Sequence, residues 1–256
     1  GQNRETWQFQ ILEWGIRAFR SEAQHERVPP TGQAFPEFEA SVHVVEPFPI
    51  DEAWPKLRAV DYGYQAPYCC LWIAERPDGS LVVYRETYET RMTAREQGKQ
   101  VAALSVGERY RQSVGDPSMW ASQREGKRFK SVADQYKASG VHLKPASNDR
   151  LAGWERVHDR LEWAEEKPPD LVIFRTCPNL IRTLPMLVRD ANRPEDVDTD
   201  DEDHAPDALR YGVMAFTRRA FGAALGRATG KARPPTLAEK IRERRREAVP
   251  AGQRWA

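Results

Sequence analysis

The chain of 256 residues is 40% hydrophobic and 30% charged, a composition that fits a globular protein of one large domain or two small ones. Its three cysteines, Cys69, Cys70 and Cys177, cannot all pair and form no CxxC or Cys/His pattern, so neither a disulfide framework nor a structural zinc site is indicated, which fits a reducing cytosol. Net charge is +1 and no apolar run approaches the length of a membrane span or secretory leader, so no membrane partner is expected and any nucleic-acid binding must come from local charge.

In chain order, residues 4–24 place Trp7, Ile11, Trp14 and Ala18 on one helical face. A helix so close to Gly1 is what a fragment with its upstream domain removed would show. Residues 28–50 hold Pro29, Pro30, Pro36, Pro47 and Pro49 among Phe35, Phe38 and Phe48, which predicts an extended arm packed on a surface. A first strand at 57–63 carries Asp61 near its end, followed by Gly63. Strands at 68–75 and 80–88 are joined through Pro77-Asp78-Gly79, a specific hairpin signal.

Residues 92–112 read as a helix with Thr93 and Glu96 as a capping box. A short strand, 113–116, ends at Asp116 before Pro117. Helix 128–139, strand 141–144, helix 150–166, strand 170–174 and helix 179–189 follow. The order is a meander and then alternating units, which predicts an α/β fold with a mixed β-sheet, an antiparallel three-stranded meander plus parallel strands, flanked by helices.

The segment from Glu195 to Asp207 carries eight acids and no Lys or Arg, and runs into an amphipathic helix from about Ala205. Asp203, His204 and Asp207 fall on its first turn, where residues three and four apart share a face. Such a cluster repels itself unless it is fully solvated or holds cations. One reading is a solvated loop whose acids cap the helix. The other joins Asp207 to Asp61 and Asp116 as carboxylates from remote segments converging at one sheet edge, the ligand type that hard divalent cations require. Two such ions, about 3.5–4 Å apart, serve phosphodiester hydrolysis.

Five stretches carry a resemblance to a known family: Phe48-Pro49-Ile50 with VDYGY around Asp61, GDPSMW around Asp116, SNDRLAGW at 147–154, CPNLIRTLP at 177–185 and DEDHAPDALRYG at 201–212. Their order and spacing resemble the nuclease domain of the tailed-bacteriophage terminase large subunit, a branch of the RNase H/RuvC-like superfamily. The resemblance spans about 35–215. It implies an RNase H-like fold and an endonuclease that cuts concatemeric double-stranded DNA with two Mg²⁺ or Mn²⁺ ions. It carries the metal-binding acids over to Asp61, Asp116 and Asp207, with Asp61 bridging both ions, and gives His204 a supporting catalytic role. Asp203 is adjacent and is an additional or alternative ligand.

The resemblance also implies partners for an intact protein: an ATPase domain, the terminase small subunit and the portal, in the host cell cytoplasm during packaging and outside the mature virion. The chain departs from the family at one point, for no GxxxxGK[ST] phosphate loop occurs in it, so DNA cutting without translocation is expected. Residues 1–50 would then be the remains of the linker to the motor, 51–220 the nuclease domain and 221–256 a basic, flexible tail. Arg124, Lys127, Arg128 and Lys130, read as a loop and helix start after Asp116, are the candidates for contacting DNA phosphates. A junction resolvase, transposase core or RNase H shares the same metal chemistry, and a non-catalytic DNA- or portal-docking domain is the alternative from outside the enzymes.

Overall fold

The structure is a computed structural model, and it describes residues 32–125, 128–198 and 202–216. The helix expected at 4–24 and the basic tail lie outside the described residues. The 33–50 segment packs into the domain. Phe35 is fully buried with its ring edge-on to Trp154 at 5.5 Å, Phe38 is buried, and a short helix α1 (Ala40–His43) leads into strand β1 (Val44–Val45). Of the arm's aromatics, Phe35 and Phe38 are buried as expected and Phe48 is half-buried.

Strands β2 (Lys56–Asp61), β3 (Tyr68–Glu75) and β4 (Leu81–Glu89) form the antiparallel meander, and the Pro-Asp-Gly signal places its turn correctly, with Gly79 at φ +84°. Helix α2 (Ala94–Ala103) opens with the full Thr93/Glu96 capping box. It ends well short of 112, because Ser105 Oγ bonds back to the Val101 carbonyl and Gly107 turns the chain at φ +83°. Strand β5 (Gln112–Gly115) then pairs in parallel with β2.

Residues 128–131 are not the start of a helix. They form strand β7 (Arg128–Ser131), paired antiparallel with β6 (Ser122–Glu125) in a separate two-stranded hairpin. Helix α3 (Val132–Ala138) begins only after Ser131, which makes a capping box with Asp134. Of the strand expected at 141–144, only β8 (Lys144–Pro145) pairs, along the free edge of β5. Helix α4 (Arg150–Leu161) is followed by β9 (Leu171–Phe174). Helix α5 (Pro178–Thr183) gives way to a 3₁₀ turn at Leu184–Met186 rather than continuing to 189, since Pro185 has no N–H to donate. Helix α6 (His204–Ala215) closes the described chain.

The seven strands of the main sheet run in the order β1-β9-β4-β3-β2-β5-β8, antiparallel within the meander and parallel elsewhere. This is the mixed sheet expected from the element order. Alternation along β2 divides its side chains between two layers. Arg58 faces α2, with its guanidinium on Ser105 and Ser113. Leu57, Ala59 and Asp61 face α6. Gly212 lets that helix lie flat on the sheet, for a Cβ there would stand 2.4 Å from Ile73 Cδ1 and 3.3 Å from Ala59 Cβ.

Candidate active site

β2 and β5 run parallel, with Val60 opposite Gly115, and the Asp116 amide donates to the Val60 carbonyl at 3.0 Å. Asp61 and Asp116 therefore stand side by side at the carboxyl ends of neighbouring strands, the edge where open α/β sheets place their ligands. The Asp116 carboxylate accepts the Ser118 amide at 2.8 Å and shapes the 3₁₀ turn Pro117–Trp120. That turn sends the chain off into the β6–β7 hairpin.

α6 brings its first turn to the same edge. His204 Nδ1 lies 3.0 Å from Asp61 Oδ2, a hydrogen bond between residues 143 positions apart. The Asp61 carboxyl is pushed up to about 7, above all by burial, and further by the negative charges of Asp207 and Asp116, against the lowering effect of the His204 bond. The same bond raises the imidazole pKa of His204. Near neutral pH this pair retains a proton. Tyr211, one turn further along α6, reports the same crowding: burial first, then Asp207, Asp116 and Asp61, push its phenol up. Asp61, Asp116 and Asp207 are thus gathered in one electrostatic neighbourhood.

Asp203 holds the position before α6 but makes no side-chain cap bond, and its carboxylate is 3.6 Å from an Arg150 nitrogen. Its carboxyl is pushed up by burial and by Asp207. Arg150 also bonds Asp196 at 2.8 Å and approaches Asp207 Oδ2 at 3.4 Å, so one guanidinium ties three of the acids together. Glu202 accepts from Tyr88 and Arg182. Asp207 Oδ1 accepts from Arg210 Nε at 2.9 Å.

Arg150 and Arg210 were given no role by sequence reasoning, although both lie in the stretches that carry the resemblance. The signal for Arg210 was its place three residues after Asp207 on one helix face. Arg150 had no comparable signal, because its acids lie more than forty positions away.

Of the candidate phosphate contacts, Arg124 and Arg128 occupy the two strands of the β6–β7 hairpin rather than a loop and helix start. Lys130 lies on β7, and Lys127 is outside the described residues.

Among the described residues no three His, Cys, Asp or Glu side chains close into a metal cage. The donor chemistry nonetheless suits a hard cation. Asp61, Asp116 and Asp207 present oxygen ligands at one edge, and their mutual repulsion is relieved in this state by the proton of the Asp61–His204 pair and by the guanidiniums on Asp207.

No family model matches the chain, and no curated protein matches it. Solved structures do. The nuclease domain of the P22 large terminase aligns at a TM-score of 0.58 and 19% identity, over 72% of this chain and 92% of that one. This chain has the terminase nuclease fold. A large terminase from a thermophilic bacteriophage aligns at 0.58 and 17% identity over 83% of this chain and 52% of that one, so the chain spans about half the length of that protein. The large terminase nuclease of thermophilic phage G20c, solved with bound magnesium, aligns at 0.51 and 12% identity over 72% and 98%. At these identities the likeness is one of fold, and within the terminase nuclease fold the chemistry must be argued from the side chains.

Proposed function

We propose that the chain is the nuclease domain of a viral genome-packaging terminase, an endonuclease that hydrolyses double-stranded DNA with Mg²⁺ or Mn²⁺. One observation carries this: Asp61, Asp116 and Asp207, from three remote segments, meet at the carboxyl edge of the β2–β5 pair within a terminase nuclease fold. Large terminase nuclease structures of the same fold bear magnesium and cobalt.

Asp61, Asp116 and Asp207 would hold two divalent ions, with Asp203 as the further ligand. When bound, such ions supply an activated water and charge stabilisation for phosphodiester cleavage. The rest is the work of the chain. Asp61 and His204 keep a proton between them in the metal-free state, and His204 is placed to take up or return a proton at Nδ1 once Asp61 ionises. Ser118 fixes the Asp116 carboxylate through its amide. Arg124, Arg128 and Lys130, on the hairpin that leaves the site, together with Lys127, neutralise DNA phosphates without reading bases. In the intact protein an ATPase domain, the terminase small subunit and the portal are the partners, in the host cytoplasm during packaging.

Plasmid cleavage tests this reading, with Mg²⁺ or Mn²⁺ against EDTA, comparing the wild-type chain with Asp207→Asn and checking both folds by circular dichroism. Nicking and linearisation by the wild type alone, and only with metal, is the expected result. Equal behaviour of two folded proteins would sink it. Duplex DNA cut in preference to an RNA–DNA hybrid separates a packaging nuclease from an RNase H.

A further inference from the structure

Arg210 is 3% exposed, and its ion pair is with Asp207 on its own helix. The guanidinium carbon lies 4.4 Å from the centre of the Tyr211 ring and 5.2 Å from that of Trp154, while Nη1 is buried with no hydrogen-bond partner among the described residues. The aromatic faces take the place of the missing acceptors. α4 makes room for the stem at Gly153, where a Cβ would stand 2.6 Å from Arg210 Cγ and 2.8 Å from Cδ. Burying an arginine carries a desolvation penalty, and a buried ion pair often adds no net stability over apolar packing. What this arrangement does give Asp207 is a direction.

The two oxygens of Asp207 are held unequally. Oδ1 receives the short bond from buried Arg210, and among the described residues Oδ2 has only the longer contact, 3.4 Å, from the more exposed Arg150. Both guanidiniums lie over the Trp154 ring, at 5.2 and 5.3 Å. The Oδ1 contact is the anchor and the Oδ2 contact is the displaceable one.

We infer that Arg210 is a positioning residue for Asp207: packed between Trp154 and Tyr211, it fixes one carboxylate oxygen so that the other is presented to a divalent cation. The inference rests on the nuclease reading above and deepens it by naming the group that aims one ligand. It also predicts an effect opposite in sign to that of plain charge. Removing a positive group beside a cation site tightens cation binding if only Coulomb's law acts. Removing the group that aims a ligand loosens it, by about 10–100-fold for such outer partners.

The test is calorimetric titration of the full chain with Mn²⁺, alongside plasmid-nicking kinetics and thermal unfolding, for Arg210→Gln, Arg210→Lys and Gly153→Ala. Arg210→Gln should weaken Mn²⁺ about tenfold or more and lower kcat, with KM for DNA within about twofold of wild type. Arg210→Lys should stay weak, since an ammonium keeps the charge but lacks the planar fork. Gly153→Ala, which displaces the Arg210 stem and leaves every charge in place, should move binding the same way. Unchanged or tighter Mn²⁺ binding in Arg210→Gln, or full recovery in Arg210→Lys, overturns the inference; if Arg210→Gln does not fold, the other two variants decide. A wild-type chain that neither binds Mn²⁺ nor cuts DNA defeats the nuclease reading and this inference with it. A wild type that does both beside an Arg210→Gln that binds equally defeats this inference alone.

Discussion

His204 on the first turn of α6 and Asp61 at the end of β2 share a hydrogen bond of 3.0 Å, and the pair joins the last described helix of the chain to its first long strand. Because Asp61 is buried beside two further carboxylates, its ionised form is disfavoured. With the folded value near 7 and the unfolded value near 3.8, the folded protein binds the extra proton between those limits. Metal-free stability attributable to Asp61 should therefore be greatest below about pH 4 and fall as pH rises to about 7. Asp61→Asn removes that penalty. Because it also removes the bond that raises His204, the metal-free chain should gain more at pH 8 than at pH 4, by on the order of 2–4 kcal/mol. Thermal unfolding across pH checks this, and a stabilisation equal at both ends would contradict it. His204 has the opposite sign: its raised pKa adds stability that is complete below about 6.5 and disappears as pH rises through the folded value.

Asp116 does two jobs, and two substitutions separate them. Asp116→Asn retains an oxygen for the Ser118 amide, whereas Asp116→Ala does not. Cleavage should fall to background in both. Only the alanine variant should also lose stability, by about 1 kcal/mol, the usual worth of a lost cap. Denaturant unfolding beside a nicking assay would show it. Residual activity in the Asn variant near wild type would remove Asp116 from the metal site.

Gly212 sets how closely α6 approaches the sheet. A methyl group there meets Ile73 Cδ1, and in a packed core such overfilling costs about 1–3 kcal/mol. Since α6 carries Asp207 and His204, Gly212→Ala should weaken Mn²⁺ binding as well as lower Tm. A variant that loses stability yet binds Mn²⁺ normally would show that the helix shifts without moving its first turn.

Phe35 tests whether the 33–50 arm belongs to the domain. It is fully buried against Trp154 and lies 4.7 Å from the ring of His158, so Phe35→Ala should cost about 3–5 kcal/mol. A loss under 1 kcal/mol in urea unfolding would mark the arm as dispensable.

The hairpin basics make a prediction about salt. If Arg124 and Lys130 each meet a phosphate, replacing both with Ala should lower the slope of log K against log salt by about 1.8 in magnitude, with no change in sequence preference. An unchanged slope in DNA-binding titrations would remove them from the interface.

Local chemistry made much of this legible in the sequence. Pro77-Asp78-Gly79 set a hairpin, and Thr93 and Glu96 set a helix start, because each depends on neighbours within a few residues. The three strand-end and helix-start acids were legible for the same reason, as residue types at positions with a meaning. The β6–β7 hairpin was missed where a basic run passed for a helix, although Ser131 and Asp134 marked the true start. Asp203, at the position before α6, invited a capping bond that its side chain does not make. Arg150, Arg210 and Trp154 show what only tertiary structure decided: which oxygen of Asp207 is anchored and what relieves the repulsion among the acids. Those outcomes depend on a guanidinium meeting carboxylates more than forty positions away and on a glycine opening space for a stem on another helix. A chain specifies its turns by local bonding, but it orients a charged group only by surrounding it.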